Sequence, residues 1–243
     1  LRLDNIRLIF KMKIGIVSDY YLNSGGGENF VNSELEIIKS LEKSHSDKFK
    51  FYYITTNKDA NKFLKNKNYE TIFFNSNSLL NRFSLFLNTI ESIRKFVFKF
   101  KLNFFKNFLN KYKINFLIFV TPSKLVFFCR HIDFVSTIWE IQYKYYPHLA
   151  EYKNIYFDLK DRDDISKFIS LYAFRIFVGT AKSKDEFSKF YNTEKSRIIE
   201  KLTQSMIVNK AEAQPIKPKK NNLEEYLFYP AQFWSHKNHL NFE

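Results

Sequence analysis

Short apolar runs alternate with helical patterns along most of this chain, and that alternation is the tightest constraint on its fold. Strand candidates are Lys13–Ser18, Phe49–Thr55, Thr71–Phe74, Asn115–Thr121, Phe134–Trp139, Arg175–Gly179 and Arg197–Glu200. Helix candidates are Glu28–Leu41, Ala60–Lys65, a broken Ser78–Lys111, Asp164–Ala173 and Ser183–Tyr191. Brief apolar strands without polar alternation suit a parallel sheet buried on both faces. Interleaved helices supply the crossovers such a sheet needs. The expectation is an α/β protein with a doubly wound parallel sheet, whose ligands collect at the carboxyl ends of the strands.

Two segments fall at that edge. After the first strand come Tyr20-Tyr-Leu-Asn-Ser24, then Gly25, Gly26, Gly27 and Glu28, then a helix. Strand, glycine-rich turn and helix start aim backbone N–H groups and a helix dipole at an anion. The glycines let a ligand approach the backbone. The spacing is neither that of GxGxxG nor that of a phosphate-binding P-loop, so a plain flexible connection stands beside this reading. An acid such as Glu28 is also expected in a first helical turn on dipole grounds alone. The second segment is Glu140-Ile-Gln-Tyr143, after the Phe134–Trp139 strand.

The chain's last residues, Tyr226-Leu-Phe-Tyr-Pro-Ala-Gln-Phe-Trp-Ser-His-Lys-Asn-His-Leu240, read as a strand, a loop and a helix that barely begins. Neither a lone strand nor so short a helix is stable in isolation. The expected organisation is an upstream extension over 1–11, with Met12 as the natural start. A domain over 12–205, a polar, proline-containing linker over 206–224, and the first strand and helix start of a truncated second domain over 225–243 follow.

The net charge of +14 favours anionic partners. Residues 78–113 hold eight bases against the single acid Glu91, half of that net charge, interleaved with phenylalanines. A basic, aromatic, helical stretch fits an anionic membrane interface; a solvated helix with a buried phenylalanine face fits it as well. Nucleic acid is not expected, because no zinc-finger spacing or RNA-binding signature accompanies the charge. One cysteine, Cys129, excludes an intramolecular disulfide, and it sits in an apolar run that suits burial. No signal peptide or membrane-spanning stretch is apparent. Thr180 and Ser183 read as a helix cap, and His148 as incidental.

Five segments, in order, carry a family likeness: Lys13-Ile-Gly-Ile-Val-Ser-Asp19; Gly25-Gly-Gly-Glu28; Ser136-Thr-Ile-Trp-Glu-Ile-Gln-Tyr-Lys-Tyr-Tyr-Pro147; Val178-Gly-Thr-Ala-Lys-Ser-Lys-Asp-Glu-Phe187; and Tyr229-Pro-Ala-Gln-Phe-Trp-Ser-His-Lys-Asn-His239. Together they resemble the retaining GT-B glycosyltransferases of the large family 4, or group 1, type, over about residues 12 to 243. The resemblance implies a Rossmann-like, acceptor-side N-terminal domain and the start of a similar donor-side domain. It implies a nucleotide-sugar donor, a glycan or lipid-linked acceptor, and neither cofactor nor metal.

In such enzymes a basic pair at the start of the second domain stabilises the leaving diphosphate as charge develops. Lys237 matches the lysine of that pair. Gln232 stands where an arginine is usual and brings hydrogen-bond donors without charge. A lysine at a helix start is unfavourable unless an anion sits there, although a merely solvated lysine is the alternative. The Gly25–Glu28 loop is expected at a donor or acceptor phosphate. Trp139, Glu140 and Tyr143 are expected at the sugar, with Trp139 packed in the core as the competing reading. Trp139-Glu140 stands where many relatives carry His-Asp, and Tyr143-Lys144 where a subgroup more often shows His-Arg; the loss of that second histidine argues against an acid–base role at Tyr143. The implied function is sugar transfer in surface polysaccharide assembly, in the cytoplasm or peripheral at the inner membrane face. This chain alone is expected to be inactive. The competing class is a non-catalytic membrane-surface or glycan-binding remnant.

Overall fold

The computed structural model describes residues 11–18, 26–90, 93, 103–149 and 159–201. Seven strands, β1 (Met12–Val17), β2 (Phe49–Thr55), β3 (Thr71–Phe73), β4 (Phe116–Phe119), β5 (Asp133–Ile138), β6 (Arg175–Val178) and β7 (Ile198–Glu200), form one sheet in the order β3-β2-β1-β4-β5-β6-β7. Every pairing is parallel, with Met12 opposite Phe49, Ile14 opposite Phe116 and Phe116 opposite Asp133. The fold is α/β and Rossmann-like. The order reverses between β1 and β4, which makes the carboxyl edge there a natural crevice.

The helices are α1 (Gly26–Ser44), α2 (Lys58–Asn66), α3 (Leu79–Thr89), α4 (Phe104–Tyr112), α5 (Leu159–Tyr172) and α6 (Ala181–Tyr191). Successive residues of a strand face opposite sides, so each central strand feeds two cores. Ile14 and Ile16 of β1 join Val31, Leu35 and Ile38 of α1 and Leu64 of α2 in one core. Val17, with Leu117 and Phe119 of β4, joins Phe105 of α4, Phe168 of α5 and Phe187 of α6 in the other. Gly15 sits where the strands pack closest. A Cβ there would lie 2.7 Å from Leu117 Cδ2 and 2.8 Å from Ile54 Cδ1.

The strands fall within a residue or two of the expected bounds. The helices depart more. Among the described residues the broken Ser78–Lys111 helix includes α3 and α4, and they behave oppositely. α4 buries Phe105 and Leu109, whereas α3 leaves Phe83 and Phe86 exposed. A buried phenylalanine face therefore describes α4 and not α3. α5 begins five residues before the expected Asp164, because its first turn is charged and carries no apolar period. The apolar run Leu125–Cys129 forms most of a 3₁₀ turn, Lys124–Phe128, and Cys129 is buried under it. Burial pushes that thiol well up from its ordinary value.

Candidate functional site

The carboxyl edge gathers the start of α1 and the end of β5. Gly26 and Gly27 open α1 and Glu28 lies in its first turn. Phe30, half a turn on, meets Trp139 edge to face, with ring centroids 5.6 Å apart at 73°. That contact brings the N-terminal part of α1 beside the residue that follows β5, across the end of β4. Trp139 remains 37% exposed, so one part of its ring packs and the rest faces out. Trp139 is therefore not buried in the core; its ring packs on Phe30 at the surface.

Glu140 is held from two sides. Its Oε1 accepts from Arg162 Nη1 at 2.8 Å and its Oε2 accepts from the Gln142 amide at 3.0 Å. The carboxylate is about one-third exposed. These two contacts orient the carboxylate at the edge.

Tyr143 is only 4% exposed, and its hydroxyl points into a buried chain of polar groups. It meets Ser166 Oγ at 2.9 Å and the Tyr191 hydroxyl at 2.6 Å. Tyr191 in turn donates to Asp163 Oδ1 at 2.9 Å. Asp163 is ion-paired with Lys144 and, at 3.0 Å, with Lys167. With the Tyr191 proton committed to the carboxylate, Tyr143 donates to Tyr191 and Ser166 to Tyr143, one relay from α5 to the 139–146 loop. Burial pushes the Tyr143 and Tyr191 phenols up. Burial alone would raise Asp163 too, but hydrogen bonds from Lys144, Lys167 and Tyr191 outweigh it and hold the carboxyl below its usual value. Tyr143 therefore anchors the loop from below, and its ring presents no face to a bound molecule.

Thr180 caps α6, its hydroxyl accepting from the Ser183 amide at 3.1 Å, as the sequence suggests. Gly25, Gln232 and Lys237 lie outside the described residues, as do residues 206–224 and 225–243, where a linker and the start of a second domain are expected. Among the described residues no group of three His, Cys, Asp or Glu side chains is placed to hold a metal. No helix among them is long and apolar enough to cross a membrane.

The sequence reading missed Phe30, Arg162 and Glu34. Glu34 is buried on α1 and ion-pairs with Lys201, which follows β7; Lys201 Nζ also lies 5.6 Å from the Phe177 ring centroid. Glu34 sits among Phe30, Val31, Leu35 and Ile38 on the apolar side of its helix, the one local signal that it has a buried partner. Arg162 had no such signal within the charged run Lys160–Asp164.

No protein-family model and no curated protein matches the chain. Among solved structures it is similar to Anabaena HepE, solved in complex with UDP, at 12% identity and TM-score 0.47, covering 79% of this chain and 44% of that one. It is also similar to a glycosyltransferase from Rickettsia africae, at 16% identity and TM-score 0.39, covering 78% of this chain and 42% of that one. The chain thus spans less than half the length of either structure.

Proposed function

We propose that this chain supplies the acceptor-side domain of a retaining, nucleotide-sugar-dependent glycosyltransferase of the GT-B type. The observation that carries the reading is the contact of Phe30, near the glycine-rich start of α1, with Trp139, the neighbour of Glu140, at the carboxyl edge of a parallel sheet. The five family-like segments support it, and four of them begin or end at that edge. In this reading Glu140 accepts hydrogen bonds from sugar hydroxyls and Trp139 offers its exposed ring to a sugar face. Tyr143 is a positioning residue, holding their loop on α5 and α6. The α1 start, with Gly25, Gly26, Gly27 and Glu28, lies against a phosphate or the acceptor.

Lys237, with Gln232, stabilises the leaving diphosphate. The acceptor is a glycan or lipid-linked intermediate met at the inner face of an anionic membrane, through the basic 78–113 stretch. No metal or cofactor takes part. Residues 12–243 alone give no turnover, because the donor is held mainly by the second domain.

The test is sugar transfer by the whole natural protein from a panel of nucleotide sugars, with Lys237→Ala beside it. An interaction made only as the bond breaks lowers kcat without a matching rise in KM. Loss of one such contact costs roughly two to three orders of magnitude in rate. A Lys237→Ala enzyme with near-normal turnover would remove the donor-side assignment.

A further inference from the structure

Three residues stand side by side where β5, β6 and β7 end. Ile138 of β5 pairs with Val178 of β6, and Val178 pairs with Glu200 of β7. The residues that follow are Trp139, Gly179 and Lys201, and the Lys201 amide donates to the Val178 carbonyl at 2.8 Å. Successive residues of a strand alternate faces, so Gly179 shares the side of Phe177. The Lys201 ammonium lies against that same phenylalanine ring. A Cβ on Gly179 would meet nothing within 4 Å. The middle of the row is therefore a gap, flanked by backbones about 10 Å apart, two strand spacings.

α1 covers this row. Phe30 and Glu34 lie one turn apart on the helix, and each engages one end of it. Phe30 meets Trp139, and Glu34 pairs with Lys201. One end of the gap is thus a partly exposed indole and the other an ion pair.

Lys201 does not satisfy Glu34 completely. The side chain is buried, and its Oε2 accepts from the Lys201 ammonium. Its Oε1 is also buried and accepts no hydrogen bond among the described residues. A buried carboxylate oxygen without a donor is costly, and a donor carried by a ligand removes that cost. A hydroxyl is such a donor. An anionic ligand is not, and it would meet Glu34 as a like charge while Lys201 is already paired. A ring with hydroxyls at its edge and C–H bonds on its face suits both ends of the gap, since those bonds complement the negative face of an indole.

We infer that the gap over Gly179 is a subsite for one uncharged sugar ring, stacked on Trp139 with a hydroxyl donated to Glu34 Oε1. The inference rests on the proposed transferase reading; it adds Glu34, Gly179 and Lys201 to that site and gives the site a preference for uncharged sugars.

The experiment titrates the methyl α-D-pyranosides of glucose, galactose and mannose against the full chain by saturation-transfer NMR, with the uronate of each as its charged counterpart. At least one neutral glycoside should bind, roughly tenfold tighter than its uronate. Gly179→Val fills a position that has room for a side chain and no backbone strain. It should weaken the glycoside by at least roughly tenfold with an unchanged thermal transition. Glu34→Leu removes the acceptor and frees Lys201, so the glycoside should weaken while the uronate binds more tightly than before. If Glu34→Leu fails to fold, Gly179→Val decides alone. No glycoside binding to the unmodified chain, binding indifferent to Gly179→Val, or a uronate bound as tightly as its glycoside would each overturn the inference. A folded Glu34→Leu chain that loses both ligands equally would do the same. Sugar transfer by the whole natural protein that survives Gly179→Val unchanged would sink this inference alone. Glycoside binding lost in Gly179→Val, with no transfer from any nucleotide sugar, would sink the transferase reading and leave the subsite standing.

Discussion

Tyr143 shows how a residue can serve a site without facing it. Its hydroxyl sits between Ser166 and Tyr191, and that relay fixes the loop carrying Trp139 and Glu140. Tyr143→Phe strips Tyr191 and Ser166 of a buried partner, which should cost roughly 1–3 kcal/mol in stability. Urea unfolding of the wild type and the variant checks it, and equal midpoints would mean that the relay contributes nothing. A second prediction concerns pH. Burial, with Lys106 adding to it, lowers the His131 imidazole from 6.5 to about 4, against an opposing hydrogen bond with the Phe128 backbone. The unfolded chain then takes up a proton near pH 6.5 that the folded chain refuses until about pH 4. This stability is full above pH 6.5 and is lost as pH falls towards 4. Asp163 acts lower, since its depressed carboxyl withdraws stability only below its ordinary value of 3.8. His131→Gln should therefore flatten the unfolding midpoint between pH 6.5 and 4 and leave the steeper loss below that range. A wild-type midpoint independent of pH across that interval would contradict it. Tyr143 was visible in the sequence as a residue at the right edge. Which way its ring turns depends on Tyr191 and Ser166, far along the chain, and no local pattern records that.

At the scale of elements, strands were more legible than helices. Apolar runs such as Phe116-Leu-Ile-Phe119 bury one face fully and the other in part, so their composition alone marks them. Helices are marked by period, and α3 misleads because its clearest apolar stripe faces outward. The outward stripe yields a prediction about the element itself. Phe83→Ser with Phe86→Ser should lower binding to anionic vesicles at least tenfold while leaving the unfolding midpoint within about 0.5 kcal/mol, as for other exposed positions. Binding of the unmodified chain should also weaken as salt shortens the screening length. Vesicle co-sedimentation at low and high salt reads both effects, and equal binding to neutral and anionic vesicles would count against the element's role. The α4 phenylalanines make the internal control, since Phe105 is fully buried and its loss should unfold the domain rather than release it from vesicles.

At the scale of the molecule, the parallel sheet places chemistry by topology. Its order reverses beside β1, and α1 and the residue that follows β5 meet at that carboxyl edge. The parallel sheet and its carboxyl edge followed from alternating strands and helices; the strand order did not. The Phe30–Trp139 contact that joins α1 to the residue after β5 did not, because it links residues on different crossovers. Nor did the Glu34–Lys201 pair, which ties α1 to the end of the last strand. The central claim is that this edge handles the sugar. Steady-state transfer by the whole natural protein, comparing wild type with Trp139→Ala and Glu140→Gln, tests it most directly. The account predicts that each change lowers kcat/KM by roughly ten- to a hundredfold, a cost of about 1.4–2.8 kcal/mol, with the fold intact by circular dichroism. Transfer that proceeds unchanged in both variants would place the sugar elsewhere and contradict the account.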